Sequence, residues 1–218
     1  MAVPTTGKPG DGVDPKLREE VVEAATRHFN RHGYKSVTMD DIARALGRSK
    51  KTLYTVVSNK QELIDLVVDA DMARDDAAVE HIAATATDAI DEMLQIARTF
   101  TEQMREVNPA GLYDLQKYYR PSWERLDAHH NDKMIEHVRA NLRRGQAEGF
   151  YREDLHRELV ATLFVRAPQA FLDQERFPLK QHDWDVVLSQ FMLYHLNGIV
   201  NETGRAKLNQ YLETTPNA

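Results

Sequence analysis

The feature that most constrains the fold is the segment 36–60, SVTMDDIARALGRSKKTLYTVVSNK, in which two short apolar-periodic stretches flank a single glycine. This spacing favours two short helices joined by a tight turn. From Arg44 to Lys60 the chain has five Lys or Arg residues and no Asp or Glu, although its formal net charge is −6. A basic patch on a helix–turn–helix pattern, within an acidic chain, indicates contact with the DNA backbone.

Capping residues predict where the two helices begin and end. Thr38 and Asp41 have the spacing of a capping box, in which the Thr38 hydroxyl accepts the amide of Asp41 and the Asp41 carboxylate reaches back. Gly47 suits the left-handed conformation that ends a helix sharply, and Ser49 suits the cap of the next helix. We therefore expect one helix after Thr38 and a second after Ser49.

A helical wheel separates the second helix into a buried face and a polar face. At about 100° per residue, Leu53, Val56 and Val57 fall on one arc, which we expect to face the core. The first two turns of a recognition helix contact base edges and phosphates in the major groove. The predicted DNA-facing residues of these turns are Lys50, Lys51, Tyr54 and Thr55, with Thr52 on the flank.

Two residues outside this helix, Lys60 and Thr38, are also predicted to contact DNA. Ser58 and Asn59 predict the start of another helix, whose N-terminus together with Lys60 would bind a phosphate group. Thr38, at the start of the first helix, is included as a DNA contact. The alternative is that the pattern arises by chance and the basic residues form an ordinary solvated face.

A family resemblance strengthens the DNA-binding interpretation. Residues from about Lys16 to Val68 resemble the N-terminal DNA-binding domain of the tetracycline-repressor-like (TetR) family of bacterial regulators. Residue 57 is often Phe in that family and is Val57 here. Arg48 stands where an apolar residue is common, and we expect it either to contact phosphate or simply to be exposed. The matching positions are Ala24, Ala25, Phe29 and Gly33, then ALGRSKKTLY, Asn59-Lys60 and Glu62-Leu63.

The resemblance implies a DNA-binding transcriptional regulator and not an enzyme. It implies a homodimer that acts as a repressor by binding a double-stranded, pseudo-palindromic operator. An unknown small-molecule effector would release the protein from DNA, and no cofactor is expected. It also implies a bacterial, cytoplasmic protein that associates with the nucleoid when bound. The alternative is an enzyme with an unrecognised active site in its helical body, although the sequence has no GxSxG elbow, P-loop or Rossmann fingerprint. No catalytic residue is predicted.

Pattern and composition divide the chain into three predicted parts. Residues 1–13 are rich in Pro, Gly and Thr and are expected to form a disordered tail. Residues 14–75 are the predicted DNA-binding head, and residues 76–214 are the predicted regulatory and dimerisation body. Residues 1–65 carry a net charge of +2 and the remainder carries −8. This asymmetry favours docking on DNA through the head.

The predicted fold class is all-α, with a three-helix N-terminal head followed by a larger helical body. Apolar residues recur with a 3.6-residue period from Ile90 to Val107, which is typical of an amphipathic helix. No alternating strand pattern or internal repeat competes with this interpretation. The helices predicted after the recognition helix cover residues 59–82, 85–107, 110–118, 121–147, 154–167 and 183–203, with a polar linker at 173–182.

An aromatic-rich group in the middle of the body is the predicted ligand-binding wall. Such side chains suit an apolar pocket, and a methionine adds adaptability. The alternative is that these residues are ordinary core. Asp114 and Arg120 are candidate polar contacts for a ligand, or surface residues. The predicted wall consists of Phe100, Met104, Tyr113, Tyr118, Tyr119 and Trp123.

The last two predicted helices are candidates for a dimer interface. The resemblance implies that the final pair of long helices, here about 154–171 and 183–203, builds a four-helix bundle with a second copy. One head of this kind reads only half of an operator, which also favours a dimer. The apolar residues of the pair are Leu159, Leu163, Phe191, Leu196 and Ile199, and the alternative is that they pack within one chain.

Cysteine and histidine usage excludes several other chemistries. The chain has no Cys, so a disulfide, a zinc–thiolate site and a Cys nucleophile are all excluded. Asp127, His130 and His137 lie on one predicted helix, but the two histidines are about 10 Å apart, which is too far for one metal ion. Neither a signal peptide nor an apolar stretch of about 20 residues is found. We expect a soluble protein with no metal ion and no membrane contact.

Overall fold

The computed structural model describes residues 13–106, 109–168 and 184–214. These residues are helical almost throughout, which confirms the predicted all-α class. The strand-like pairing within these ranges is an isolated antiparallel bridge between Tyr151 and Val200. The helices are α1 (Pro15–His32), α2 (Met39–Ala45), α3 (Lys50–Val56), α4 (Lys60–Thr85), α5 (Ala89–Glu106), α6 (Pro109–Tyr118), α7 (Arg120–Ala147), α8 (Arg157–Arg166), α9 (Trp184–Ile199) and α10 (Glu202–Thr214).

Contacts group the chain into two compact units. The first unit comprises Met1–Arg74 and Glu106–Asp127, and the second comprises Asp75–Arg105 and Ala128–Ala218. The sequence places everything after residue 75 in the body, whereas the structure packs α6 against α1 in the first unit. The functional division at residue 75 stays a prediction.

Apolar side chains of α1 to α4 and α6 build the core of the first unit. Phe29 is fully buried, and its ring stacks on Tyr34 with centroids 4.7 Å apart. Gly33 ends α1 with a φ of 82°, a conformation that favours glycine, and its amide donates to the Phe29 carbonyl at 2.8 Å. Because each large apolar side chain contributes about 1.5–3 kcal/mol when buried, this core fixes α2 and α3. Its fully buried members include Val21, Ile42, Leu53, Val57, Leu63, Ile64, Val67 and Leu115.

A buried tyrosine organises the core of the second unit. The Tyr151 hydroxyl lies 2.9 Å from the Ala89 carbonyl and 3.1 Å from Oδ1 of Asn141, so its polar end is satisfied. Burial raises the pKa of the Tyr151 phenol, so the side chain stays neutral. Gly145 of α7 permits this packing, since a Cβ at that position would lie 2.1 Å from the Tyr151 ring.

The prediction of a single last helix over 183–203 is wrong, because two helices follow one another there. Helix α9 ends at Ile199, and α10 begins at Glu202. Asn201 separates them: its Oδ1 accepts the Gly204 amide at 2.9 Å, and its Nδ2 donates to the Gly149 carbonyl at 2.9 Å. Asn is a preferred N-cap residue, so Asn201 followed by Glu202 is the sequence signal that predicts this second start.

Helix α5 and helix α8 begin later than the sequence predicts. The predicted start at 85 moves to Ala89, because Oδ1 of Asp88 caps α5 by accepting the amides of Ile90 and Asp91 at 3.0 and 2.9 Å. The predicted start at 154 moves to Arg157, where His156 is the capping residue. A side chain that satisfies the free amides of the first turn defines a helix start more sharply than apolar periodicity does.

His195 of α9 is a half-buried titratable residue in the second unit. Its ring lies 4.2 Å from the ring of Phe164, and its Nε2 is buried without a hydrogen-bond partner among the described residues. Burial lowers the pKa of His195 to about 4, from an ordinary value of 6.5. The imidazole of His195 is therefore neutral in the folded protein near pH 7, and the unfolded chain binds a proton at this residue more readily than the folded chain does.

We expect the second unit to lose stability as the pH falls from 7 to 5. In this window the unfolded chain takes up a proton at His195 and the folded chain does not, so stability falls by about 2 kcal/mol. Urea unfolding at the two pH values measures the loss. His195→Phe should flatten this dependence, whereas His81→Gln, at an exposed position of α4, should not. An unchanged pH slope in His195→Phe would contradict the assignment.

Candidate nucleic-acid interface

Helix α3 presents the two faces that the helical wheel predicts. Leu53, Val56 and Val57 are buried, with at most 2% of each residue exposed. Val57 caps the helix in an extended conformation instead of continuing it. The buried face packs into the core of the first unit, so the polar face points to solvent. The exposed residues of that face are Lys50, Lys51, Tyr54 and Thr55, and Thr52 is half-buried.

Local hydrogen bonds fix the starts of α2 and α3. The Thr38 hydroxyl accepts the Asp41 amide at 3.2 Å and donates to the Asp41 carboxylate at 2.6 Å, while the Thr38 amide donates to the same carboxylate at 2.9 Å. These bonds lower the pKa of Asp41. Ser49 caps α3 by accepting the Thr52 amide at 3.1 Å. The capping box and the Ser49 cap are therefore confirmed.

Two predicted DNA contacts use their hydroxyl protons within the protein. The Thr38 hydroxyl donates to Asp41, and the Thr55 hydroxyl donates to the Thr52 carbonyl at 2.6 Å. Either hydroxyl must leave its partner before it donates to a phosphate. A DNA role for Thr38 and Thr55 stays a prediction.

Carboxylates from outside the basic stretch face three of its five cations. Such exposed ion pairs contribute little to stability, but a phosphate must compete with them. The Lys50 pair is the shortest, and the hydrogen bond that the Lys50 ammonium donates to Asp40 raises the pKa of Lys50. A count of charge between residues 44 and 60 does not reveal these partners, because they lie outside that range. The pairs are Arg44–Asp41 at 3.4 Å, Arg48–Glu20 at 3.3 Å and Lys50–Asp40 at 2.7 Å.

Lys51 and Lys60 are the cations of the stretch that have no carboxylate partner within the described ranges. Lys51 is exposed on α3. The Lys60 ammonium donates to the Lys35 carbonyl at 3.2 Å and lies 5.6 Å from the centroid of the Tyr119 ring. An ammonium group has three donors, so Lys60 keeps two for a phosphate. Asn59 caps α4, accepting the Glu62 amide at 2.9 Å.

The described members of the predicted ligand-binding wall are divided between the two units. Tyr113 and Tyr118 are 54% and 44% exposed in the first unit, where Tyr119 and Trp123 pack against its core. Phe100 belongs to the second unit and is 40% exposed. The side chain of Met104 lies outside the described part. A ligand-binding role for these residues stays a prediction.

The two candidate polar contacts for a ligand have partners within the first unit. A carboxylate oxygen of Asp114 accepts the Lys35 amide at 2.9 Å. The Nε of Arg120 donates to Glu124 at 2.7 Å, one turn along α7. Both side chains thus hold other parts of the first unit in place, and a ligand-binding role for Asp114 or Arg120 stays a prediction.

Histidines of α7 pair with aspartates of α4 in the second unit. His129 and His130 lie 3.0 and 3.2 Å from the carboxylates of Asp76 and Asp75. Across the described residues no group of three or more potential ligands could hold a metal ion. In the same part of the chain, no helix has the length and apolar character needed to cross a membrane.

Helices α8 and α9 carry a different kind of surface, which is apolar and exposed. Leu163 of α8 is 69% exposed and Tyr194 of α9 is 81% exposed, with Leu159 and Val186 at 58% and 50%. Leu196 and Ile199, predicted as candidates for either role, are buried in the core of the second unit. Phe191 is half-buried and stacks on Phe164 with centroids 5.4 Å apart. The predicted interface set therefore divides into core residues and exposed residues.

Comparison with known proteins places this architecture among bacterial regulators. The family described as "Bacterial regulatory proteins, tetR family" matches residues 21–67. YvaF of Bacillus subtilis (strain 168), described as an uncharacterized HTH-type transcriptional regulator, is 29% identical over 113 residues, which cover 51% of this chain and 59% of YvaF. The chain thus spans less than two thirds of that relative's length.

Two further matches extend over most of the chain. The HTH-type transcriptional repressor AcnR of Corynebacterium efficiens is 26% identical over 177 residues, covering 80% of this chain and 87% of AcnR. A TetR-family transcriptional regulator from Agrobacterium tumefaciens has a similar fold, with a TM-score of 0.68, 14% identity and coverage of 85% of this chain and 98% of that structure.

Helix α3 presents its polar face from a helix–turn–helix, and a helical body follows. This arrangement is typical of DNA-binding regulatory proteins. The family match lies on the helices that build this face, and the relatives are described as regulators and a repressor. Over residues 21–67 the chain matches the TetR family of bacterial regulatory proteins, and the relatives that match beyond this segment are described as regulators. None of these relatives is described as an enzyme, in agreement with the interpretation from sequence.

Proposed function

We propose that the protein is a sequence-specific transcriptional repressor that binds a pseudo-palindromic DNA operator as a homodimer and is released by a small molecule. The polar face of α3 carries this proposal. Its buried side anchors it in the core of the first unit, and its exposed side offers Lys51 and Tyr54 in the first turns after the Ser49 cap. Such a face reads base edges while flanking cations neutralise phosphates.

The exposed apolar surface of α8 and α9 supports the dimer. Leu159 and Leu163 are one helical turn apart on α8, and Val186 and Tyr194 are two turns apart on α9. Side chains at these spacings lie on one face of their helix. Large apolar side chains that stay exposed in one chain are typical of a surface covered by a partner. A second copy is the partner that two operator half-sites require.

A half-buried arginine of α5, Arg98, supports release by a small molecule with an acidic or strongly polar group. The Nε of Arg98 is buried and has no hydrogen-bond partner among the described residues. A buried donor without a partner costs roughly 1–3 kcal/mol, which a ligand oxygen would recover. Binding of such a ligand would release DNA only if it favoured the form of the protein that binds DNA poorly.

Selection of bound sequences from a random DNA pool tests the repressor proposal. The expected product is an inverted repeat with half-site centres about 34–36 Å apart or a multiple of that spacing. Lys51→Ala should lower affinity for the selected operator about tenfold or more and relax preference at one position, because a Lys–guanine contact contributes about 1–3 kcal/mol. Fluorescence anisotropy with the operator and its single-base variants measures both effects.

Lys133→Ala is the matched control, because Lys133 is an exposed lysine of α7 in the second unit. It should leave both affinity and base preference unchanged. Failure of the wild-type protein to enrich any sequence would contradict the proposed function. Enrichment with unchanged preference in Lys51→Ala would instead reassign Lys51 to the phosphate backbone.

A further inference from the structure

A second group of cations lies outside the helix–turn–helix and is formed with α6. We define the lysine–tyrosine cluster as Lys35, Lys60, Lys117, Tyr113 and Tyr118, all within the first unit. The Lys35 ammonium donates to the Tyr118 hydroxyl at 3.2 Å and lies 4.4 Å from the centroid of its ring. The Lys117 ammonium donates to the Tyr113 hydroxyl at 2.7 Å and lies 5.5 Å from the Tyr118 ring. Tyr118 therefore lies between two ammonium groups.

The cluster is positively charged and its side chains are held in place. No carboxylate pairs with its three ammonium groups within the described ranges, where Asp114 instead accepts the backbone amide of Lys35. The bond to Tyr113 raises the pKa of Lys117, and the bond from Lys35 lowers the pKa of Tyr118. Cation–π and hydrogen-bond contacts restrict these lysines before any partner arrives, so less side-chain entropy is lost on binding.

The cluster is also exposed and joins the predicted DNA interface. Lys35, Lys117, Tyr113 and Tyr118 are all exposed. The Lys60 ammonium donates to the carbonyl of Lys35 at 3.2 Å, so Lys35, between α1 and α2, connects the predicted phosphate anchor at the start of α4 to the tyrosines of α6. Ammonium and phenol groups are both donors, and phosphate oxygens accept from both types of side chain.

We propose that the lysine–tyrosine cluster binds the sugar–phosphate backbone of DNA beside each operator half-site, so that α6 adds contacts from outside the helix–turn–helix. This inference rests on the proposed function. Three ammonium groups linked by contacts on one surface can neutralise several phosphates of a duplex, which carries one negative charge per about 1.7 Å of its axis. The contacts should add affinity and salt dependence without base preference, because phosphates carry no direct sequence information.

The test compares the salt dependence of operator binding in the wild-type protein and in the double variant Lys35→Gln/Lys117→Gln. Removing two phosphate contacts should reduce the slope of log affinity against log salt by about 2 and lower affinity about tenfold near physiological salt. The selected operator sequence should not change. Lys117→Arg, which keeps the charge, should retain most of the slope.

The control removes the same charge from the second unit. Lys133→Gln/Arg143→Gln changes two exposed cations of α7 and should leave the slope unchanged. Thermal unfolding of each variant verifies that all remain folded, which is expected because the replaced side chains are exposed.

Three outcomes separate this inference from the proposed function. A reduced slope in the cluster variant alone supports the inference. If its slope is unchanged, or falls equally in the control, while Lys51→Ala still weakens binding, the cluster serves only to pack α6 and the inference is overturned. If the wild-type protein binds no DNA at all, the proposed function and the inference are both wrong.

Discussion

Gly204→Ala is expected to destabilise the second unit by about 2–3 kcal/mol or more. A Cβ at this position of α10 would lie 2.1 Å from the carbonyl oxygen of Phe150 and 3.1 Å from the Val200 side chain. The first of these atoms belongs to the backbone, so relief requires α10 to move away from the segment beside it. Overpacking of a buried position typically costs about 1–3 kcal/mol, and displacement of a backbone adds to that cost.

Urea unfolding of the purified protein measures the expected loss, and Gly198→Ala is its matched control. Gly198 is an exposed residue of α9, and nothing lies within 4 Å of a Cβ built there. Because alanine suits a helix interior better than glycine, the control should be neutral or more stable by up to about 1 kcal/mol. Equal stability of the two variants would show that α10 does not pack on the Phe150 carbonyl in solution.

If the protein is the proposed homodimer, Leu163→Glu is expected to convert it into a monomer and to lower its affinity for the selected operator by about 100-fold. Leu163 is 69% exposed, so the substitution costs the single chain little, whereas a dimer interface would bury the new carboxylate without a partner. A monomer presents one head, which loses the high effective concentration that a linked second head provides. Tyr194→Glu on α9 should have the same effect.

Analytical ultracentrifugation and operator titration together test this expectation. Phe100→Glu is the control, because it places the same charge at an exposed aromatic position of α5 that is 40% exposed. It should leave the protein dimeric. A dimer that survives both Leu163→Glu and Tyr194→Glu would place the interface elsewhere. A wild-type protein that is monomeric at micromolar concentration would contradict the dimer altogether.

The sequence predicts the local features of the first unit well. Periodicity places Leu53 and Val56 inside and Lys51 outside, and capping chemistry locates Thr38 and Ser49, because both signals depend on residues within one or two helical turns. The same reasoning predicts most helices of the body. Asn201 shows that a missed cap can merge two helices, since the apolar pattern alone runs on through Val200.

Features that depend on residues far apart in the chain were not predictable in this way. Arg48 pairs with Glu20 across 28 positions, and Lys35 contacts Tyr118 across 83. A place in a ligand-binding wall for the aromatic residues of α6 stays a prediction, because hydrophobic patterns do not record which neighbour covers a side chain. Asp114 of α6 accepts the amide of Lys35, which follows α1. Local sequence patterns do not reveal such a contact, so they do not predict that α6 packs on α1.

The ion pair between Lys50 and Asp40, at 2.7 Å, has a consequence for how the protein would search a genome. Asp40 already neutralises part of the charge of the Lys50 ammonium group, so in the proposed DNA complex a phosphate would compete with it. Random sequence offers only phosphates in exchange, whereas an operator also offers base edges to α3. An internal competitor of this kind would shorten each stay on random DNA and leave more of the protein free to reach its target.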